Sequence, residues 1–275
     1  MNLDGIRLSI LGTGNIGAAI ARGLVSAGVV PADHITLTRR RLALLEQYRS
    51  QGYRTISDNV QAVSAADLVV LAVTPQQLNA LLTEIRPALD RRRHTLISVV
   101  SGATIAQIRS KLGMDIPVIR AMPNTAIAIR ESMTCLAGDD QAASAMATVQ
   151  ILFDALGKTL VIEENLMVPA TALCACGIAF FLRAVRAASQ GGIEIGFHAD
   201  EALLMAAQTA RGAASLLVKG ETHPEGEVDK VTTPQGCTIA GLNQMEHNGF
   251  SSALIKGIVS SAEKAAVLYA PQARS

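Results

Sequence analysis

The sequence predicts an α/β domain built on a doubly wound parallel sheet, followed by an all-α C-terminal domain. Three observations support this prediction. The chain opens with an apolar, strand-like segment that leads through a glycine-rich turn into a helical run. Strand and helix patterns then alternate as far as about residue 158, which is typical of parallel sheets, and strand signals become rare beyond that point. The predicted domains are residues 1–160 and residues 161–275.

The individual elements follow from hydrophobic patterning. Strands are predicted at residues 6–11, 35–37, 68–73, 95–100, 117–120 and 160–162. Besides the helix that follows the glycine turn, helices are predicted at residues 42–50, 75–89, 169–189, 199–219, 237–249 and 251–270. Residues 69–73 are apolar without alternation, which is typical of a central strand covered on both faces.

Composition argues against several classes of partner. The chain has 24 Lys and Arg against 23 Asp and Glu, so no bulk charge favours nucleic acid or an anionic membrane, and a small-molecule partner is expected. No uninterrupted apolar run approaches the roughly 18 residues of a membrane span, and no signal-like segment opens the chain, which predicts a cytoplasmic protein. The four cysteines and five histidines lack metal-like spacing. We therefore predict no metal, reduced packing cysteines, and histidines at surface or cap positions.

The glycine-rich turn matches the pattern G-x-G-x-x-G between a strand and a helix, which is typical of a Rossmann-type dinucleotide-binding domain. Its residues are Gly12, Thr13, Gly14, Asn15, Ile16 and Gly17. The first glycine is expected to allow the tight turn, the second to let the backbone approach a pyrophosphate, and the third to let the helix pack closely on the strand. A turn that binds no ligand is the alternative.

The end of the second strand predicts the type of dinucleotide. A site for NAD usually has Asp or Glu at this point, whereas this chain has Arg39, Arg40 and Arg41 directly after Thr38. Guanidinium groups are suited to bind a 2′-phosphate through charge-assisted hydrogen bonds. NADP is therefore predicted, with NAD as the alternative; an arginine triplet that simply forms a solvated helix start is the other interpretation.

Two further loops are expected at the same edge of the sheet, because ligands bind at the carboxyl ends of parallel strands. They are residues 73–76 and residues 121–125. With Asn59, they complete the predicted cofactor-binding set, which consists of Gly12, Thr13, Gly14, Asn15, Ile16, Gly17, Arg39, Arg40, Asn59, Ala72, Val73, Thr74, Pro75, Met122, Pro123 and Asn124.

These stretches, together with the late segment 231–242 (VTTPQGCTIAGL), resemble the pyrroline-5-carboxylate reductase family over nearly the whole chain. The resemblance implies a Rossmann domain, a helical domain that joins subunits into a homodimer or higher homo-oligomer, and reduction of a five-membered cyclic imine by NAD(P)H in proline biosynthesis. The activity expected from it is conversion of 1-pyrroline-5-carboxylate to proline.

The late segment 231–242 also has residue types that suit the binding of a carboxylate. Residues 234–236 are expected to form a turn that leads into a helix, and the free N–H groups at a helix start bind carboxylates. By the resemblance, Thr238 is the catalytic residue that contacts the ring nitrogen, and Thr233, Gly236 and Cys237 surround the substrate carboxylate together with it. A helix start capped by threonine is the purely structural alternative.

Several positions depart from the pattern of the resemblance. They are Thr74 in place of Lys, Ala126 in place of Pro, Gln235 in place of Gly, Cys174, Cys176 and Ile178 within a segment that is typically S-G-S-G-P-A, and Arg186 and Gln190 at usually acidic positions. A side chain at residue 235 is expected to hinder the glycine-like backbone of the turn. The departures suggest two alternatives, a related cyclic imine as substrate or a catalytically weak, NADP-binding regulatory protein.

A reductase of the 3-hydroxyacid dehydrogenase type is a further alternative. Such enzymes combine a Rossmann domain with helices but depend on a lysine early in the helical region. No lysine lies between Lys158 and Lys219. This absence disfavours the alternative.

Overall fold

The computed structural model describes residue 3, residues 5–220 and residues 222–269. The chain divides into two units. The first unit comprises Met1–Cys176 together with Ser261–Ser275, and the second comprises Gly177–Ser260. The predicted domain boundary at residue 160 stays a prediction.

Eight strands form one sheet in the described part of the first unit, in the order β3-β2-β1-β4-β5-β6-β7-β8. The strands are β1 (Leu8–Leu11), β2 (Ile35–Thr38), β3 (Arg54–Ile56), β4 (Leu68–Leu71), β5 (Thr95–Ser98), β6 (Val118–Met122), β7 (Ser132–Gly138) and β8 (Gly157–Val161). Among the strands of the described residues, only the β6–β7 pair is antiparallel. The predicted doubly wound parallel sheet is therefore confirmed, with β7 as an antiparallel strand that the sequence did not predict.

The helices are α1 (Asn15–Ser26), α2 (Glu46–Arg49), α3 (Asn59–Ser64), α4 (Pro75–Ile85), α5 (Ile105–Leu112), α6 (Ala143–Asp154), α7 (Met167–Ala170), α8 (Gly177–Glu194), α9 (Ala199–Lys219), α10 (Pro224–Lys230), α11 (Cys237–His247) and α12 (Phe250–Ala266). A π-helical segment, Thr171–Cys176, joins α7 to α8. All regular structure after β8 in the described residues is helical, which confirms the predicted all-α C-terminal region.

The sheet separates two hydrophobic clusters, because successive side chains of a strand point to opposite faces. Ile10 packs in the cluster that contains Leu24 of α1 and Phe153 of α6. Its neighbour Leu11 packs in the other cluster, with Leu82 of α4. All residues of β1, β2, β4 and β5 are buried, and these strands consist of aliphatic residues with a few small hydroxyl residues such as Ser9 and Thr36. Burial of both faces is typical of central parallel strands, and the high content of aliphatic residues made them predictable.

Two strands were missed in the sequence, for different reasons. β3 has only three residues and lies at the edge of the sheet, where one of them is exposed. β7 is buried for most of its length, but serine, threonine and glycine interrupt its apolar residues. β3 is therefore too short, and β7 too mixed in composition, for the aliphatic pattern by which the central strands were recognised.

The helical run Glu164–Glu194 is long and apolar enough to cross a membrane by length and composition. The predicted absence of an uninterrupted apolar run of that length does not exclude such a helix, because polar residues such as Thr171 and Arg183 interrupt this one. The criterion is weak evidence for a membrane span, because a core helix of a globular protein also meets it.

A buried ion pair connects β6 to the start of this helical run. The side chain of Arg120 is only 3% exposed, and its Nη1 lies 3.2 Å from Oε1 of Glu164. The same carboxylate oxygen accepts a hydrogen bond from the backbone N–H of Ile105, at 2.7 Å, at the start of α5. Glu164 therefore joins three elements of the first unit and neutralises a charge inside it.

His94 is also buried, at 2% exposed, which corrects the prediction that the histidines occupy surface or cap positions. The backbone N–H of Asp90 donates to Nδ1 of His94 at 2.8 Å, so the proton of the neutral ring resides on Nε2, which lies 3.1 Å from the carbonyl oxygen of Val63. Burial lowers the pKa of His94 from its ordinary value. The folded chain therefore contains the neutral imidazole.

Replacing Glu164 with Gln is expected to lower the free energy of unfolding by about 3–5 kcal/mol, because Arg120 then stays buried without a counter-charge. Urea denaturation measures the change. Glu163→Gln is the matched control, since Glu163 is exposed, and a shift within about 0.5 kcal/mol is expected for it. Equal, small shifts for the two variants would show that the ion pair contributes little to stability.

His94 is expected to make the chain less stable in mild acid. Its pKa is lower in the folded than in the unfolded state, so the unfolded state binds more protons, and the stability present above pH 6.5 is lost as the pH falls towards the lowered value. The free energy of unfolding, measured by urea denaturation from pH 7.5 to pH 5, should fall less steeply in His94→Gln. Exposed His247 is the control, and its replacement by Gln should leave the wild-type slope; a wild-type slope in His94→Gln would contradict the prediction.

Candidate active site

The glycine turn connects β1 to α1 by a close approach of backbone to backbone. Gly12 has a φ of +99°, and a Cβ atom there would lie 2.6 Å from the carbonyl oxygen of Ala72. At Gly17 a Cβ atom would lie 2.4 Å from the carbonyl oxygen of Gly12. A Cβ atom at Gly14, by contrast, would meet nothing within 4 Å. Two glycines are thus required by packing, and the third leaves open space at the start of α1, where free N–H groups attract anions.

A chain of hydrogen bonds fixes this turn to the end of β2. The backbone N–H and the hydroxyl of Thr13 both donate to the carbonyl oxygen of Thr38, each at 3.0 Å. The N–H of Gly12 donates to Oγ1 of Thr38 at 3.3 Å, and this hydroxyl donates to Oδ1 of Asn59 at 2.6 Å. Nδ2 of Asn59 donates to both oxygens of Glu84, at 3.1 and 3.2 Å. The turn therefore has a defined position before any ligand binds.

A cavity of about 460 Å³ opens beside the turn, at the carboxyl ends of β1, β2 and β4. It is lined by nine of the predicted cofactor-binding residues, namely Gly12, Thr13, Gly14, Arg39, Arg40, Asn59, Ala72, Val73 and Thr74. Three others, Asn15, Ile16 and Gly17, lie in the first turn of α1, and Pro75 begins α4. Glu84 also lines the cavity, although no sequence motif pointed to it.

Three guanidinium groups dominate the electrostatics of the cavity. Arg39, Arg40 and Arg41 all line it and are exposed, and none of them forms an ion pair with another described residue. Glu84 is the single acidic residue among the described residues of the lining. The cavity is therefore suited to an anionic group near the end of β2.

The loop after β4 leads directly into α4. The N–H of Thr74 donates to Oε1 of Gln77 at 3.4 Å, and the N–H of Gln77 donates to the carbonyl oxygen of Thr74 at 2.9 Å. Pro75 occupies the first position of the helix, where a missing N–H has no cost. Threonine thus forms an ordered helix start at the position where the resemblance has lysine.

The loop after β6 does not line the cavity. It follows Met122 at the same edge of the sheet, because β4, β5 and β6 are parallel. The N–H of Asn124 donates to Oγ of Ser132 at 3.1 Å, and Oδ1 of Asn124 accepts from the N–H of Ala126 at 3.0 Å. Its Nδ2 donates to the carbonyl oxygen of Cys174 at 3.3 Å. Asn124 therefore orders the loop, and the places of Met122 and Pro123 in a cofactor site stay predictions.

The late segment lies in the second unit, at the start of α11. Gln235 has a φ of +57°, so this non-glycine residue does adopt a left-handed conformation, which the sequence had left in doubt. The N–H of Gly236 donates to the carbonyl oxygen of Thr233 at 2.9 Å and closes the turn. Gly236, and neither threonine, is the residue that caps α11. This is evidence against the interpretation of the segment as a helix start capped by threonine.

The hydroxyls of this turn are available for a ligand. Thr233, Cys237 and Thr238 are exposed in the chain by itself. Neither threonine hydroxyl forms a hydrogen bond to another residue within the described ranges. The turn thus offers two hydroxyls beside the free N–H groups of a helix start, a suitable arrangement for a carboxylate.

Comparison with known proteins gives two family matches. The family described as pyrroline-5-carboxylate reductase dimerisation matches residues 164–268. The family described as NADP oxidoreductase, coenzyme F420-dependent, matches residues 7–102, in agreement with the predicted cofactor NADP. The two matches fall on the helical part and on the β1–β5 part of the chain.

Individual relatives extend the similarity over nearly the whole chain. The chain is 53% identical over 274 residues to pyrroline-5-carboxylate reductase 1 of Dictyostelium discoideum, covering 95% of this chain and 50% of that relative. It thus spans half the length of this relative. Identity to pyrroline-5-carboxylate reductase 2 of the same organism is 47% over 275 residues, covering 94% of this chain and 91% of the relative.

Solved structures agree with this assignment. The structure of a pyrroline-5-carboxylate reductase from Coxiella burnetii is similar with a TM-score of 0.89 at 26% identity, covering 98% of this chain and 100% of that one. The resemblance seen in the sequence is thereby confirmed, and the chain belongs to the pyrroline-5-carboxylate reductase family.

Proposed function

We propose that the chain reduces the C=N bond of a cyclic imine carboxylate with NADPH, and that 1-pyrroline-5-carboxylate is the substrate and proline the product. The observation that carries the proposal is the arginine-lined cavity beside the glycine turn, in a chain of this family. NADPH supplies the hydride when bound. Everything else in the reaction is a matter of binding and orientation by this chain's own residues.

The first unit has the features that NADPH needs. Open space over Gly14 admits the pyrophosphate to the N–H groups at the start of α1. Arg39 and Arg40 bind the 2′-phosphate by charge-assisted hydrogen bonds. Asn59, through Thr38, keeps the turn in place. The fit is supported by the close contact at Gly12, where a Cβ atom would collide with Ala72, directly after β4.

The second unit has the features that an imine carboxylate needs. We assign the carboxylate to the hydroxyl of Thr233 and the N–H group of Cys237, with Gly236 beside it in the turn, and the ring nitrogen to the hydroxyl of Thr238. A protonated imine is already electrophilic, so reduction requires a fixed orientation more than a strong acid. Thr238 fulfils that requirement by holding the nitrogen at one place.

We also propose that the chain forms a homodimer or a higher homo-oligomer through its helical part. The family that matches residues 164–268 has the description pyrroline-5-carboxylate reductase dimerisation. Large apolar side chains of the second unit are exposed in the single chain, among them Ile195 at 78%, Leu204 at 71% and Val218 at 71%. Monomeric proteins rarely expose so many such residues together. A cytoplasmic location stays a prediction.

Two alternatives to the proposed reaction concern the turn that contains Gln235, and one experiment tests both. Gln235 presents a side chain where the resemblance has glycine, which favours a related imine or a weakly active NADP-binding protein. NADPH and NADH oxidation should be measured with 1-pyrroline-5-carboxylate and with six-membered and 2-carboxylate analogues. Preference for an analogue would establish the related imine, and NADPH binding without oxidation in any mixture would contradict the proposed reaction.

Replacing Arg39 and Arg40 with Ser is expected to lower kcat/KM for NADPH roughly tenfold to hundredfold, because hydrogen bonds to charged groups contribute about 1.5–3 kcal/mol. The value for NADH should change little, since NADH has no 2′-phosphate. Initial rates with both cofactors measure the effect. Arg91→Ser, in an exposed loop, is the control. An equal loss with NADPH and NADH would contradict the assignment.

Thr238→Ala is expected to lower kcat by roughly tenfold or more, because the ring nitrogen loses a partner that orients it. Thr238→Ser retains the hydroxyl and should retain most of the rate. Steady-state kinetics with saturating NADPH distinguish them, with exposed Ser252→Ala on α12 as the control. If alanine and serine at residue 238 gave the same rate, the hydroxyl would have no part in the reaction.

A further inference from the structure

Two cysteines that are far apart in the sequence lie side by side in the first unit. Cys135 is in β7 and Cys174 is in the π-helical segment Thr171–Cys176. Their Sγ atoms are 4.0 Å apart, although 39 residues separate them in the chain. The proposed reaction uses neither thiol. The sequence had suggested only that the cysteines are reduced packing residues.

The two thiols differ in how freely they move. Cys135 is buried, and its strand is paired on both sides, with Met122 of β6 and with Leu160 of β8. Cys174 is partly exposed, and it lies in a six-residue π-helical segment, a rare geometry that often occurs at functional sites. A disulfide requires the sulfurs to approach to about 2.05 Å. Cys174 is therefore the residue that moves towards the other sulfur when a disulfide forms.

The pair also differs in reactivity. The hydrogen bond between the thiols lowers the pKa of Cys174, whereas the same bond and burial raise the pKa of Cys135. Since the thiolate is the reactive form of cysteine, Cys174 is the thiol that reacts first. Cys135 is then in place to react with the product.

We propose that Cys135 and Cys174 form a modification site at which a hydroperoxide produces a disulfide. The Cys174 thiolate attacks the O–O bond of the hydroperoxide ROOH, which forms the sulfenic acid of Cys174 and, after protonation, ROH. The Cys135 sulfur then displaces water and the S–S bond forms. Together the two thiols lose two electrons and two protons, and one hydroperoxide is reduced to ROH and water.

The disulfide would act on the loop after β6. The carbonyl oxygen of Cys174 accepts the hydrogen bond from Nδ2 of Asn124, which orders that loop at the carboxyl edge of the sheet. A bond between the sulfurs fixes the π-helical segment to β7. It thereby restricts the movement of the Cys174 carbonyl group, which accepts the hydrogen bond from Asn124. The modification itself does not depend on the proposed reaction, because it involves only the two thiols.

The test is oxidation of the full chain with hydrogen peroxide at low excess, followed by denaturation, alkylation of the remaining thiols and mass spectrometry. We expect the wild type to lose two of its four alkylatable thiols and to yield a linked peptide that contains Cys135 and Cys174. Dithiothreitol should restore all four. Cys174→Ser and Cys135→Ala should each abolish the linked peptide, whereas Cys176→Ser, in the same segment, should retain it.

The outcomes that overturn the proposal are equally specific. They are four alkylatable thiols in the treated wild type, a disulfide that fragmentation of the peptide assigns to Cys176 or Cys237, or a linked peptide that survives in Cys174→Ser. If Cys135→Ala failed to fold, the comparison of Cys174→Ser with Cys176→Ser would still decide, because both change partly exposed residues.

Discussion

The contact on which the candidate cofactor site depends is the one between the backbone of Gly12 and the carbonyl group of Ala72. It brings the turn after β1 against the end of β4 at a distance that leaves no room for a Cβ atom. A second close approach, between Gly17 and the carbonyl oxygen of Gly12, holds the first turn of α1 against the glycine turn. Because these contacts join backbone to backbone, they position the start of α1 more rigidly than side-chain packing would. The cavity and its arginines are arranged around that fixed point.

The sequence predicted this part well because the relevant information is local. Four fully buried strands were recognised from short segments that are rich in aliphatic residues. Gly12, Gly14 and Gly17 are separated by fixed intervals, and their roles follow from that spacing. The arginines were recognisable because they come directly after a predicted strand. In each case neighbours in the chain are also neighbours in the site.

What the sequence could not predict depends on residues that are distant in the chain. Glu84 reaches the cavity through Asn59, which is 25 residues away. Glu164 neutralises Arg120 across 44 residues, and His94 meets Val63 across 31. No periodicity relates such positions, since the topology of the sheet alone brings them together. The left-handed Gln235 is a different case, because only the backbone dihedral angle reveals that glutamine adopts a conformation that glycine usually occupies.

The hydrogen bonds between Asn59 and Glu84 have a consequence for the energetics of ligand binding. A carboxylate beside three arginines would be expected to pair with one of them, and a phosphate would then have to break that pair. Both oxygens of Glu84 instead accept from a neutral amide. The guanidinium groups therefore need not give up an ion pair with Glu84 when a phosphate binds. The favourable interaction between phosphate and arginine is not reduced by the cost of breaking such a pair.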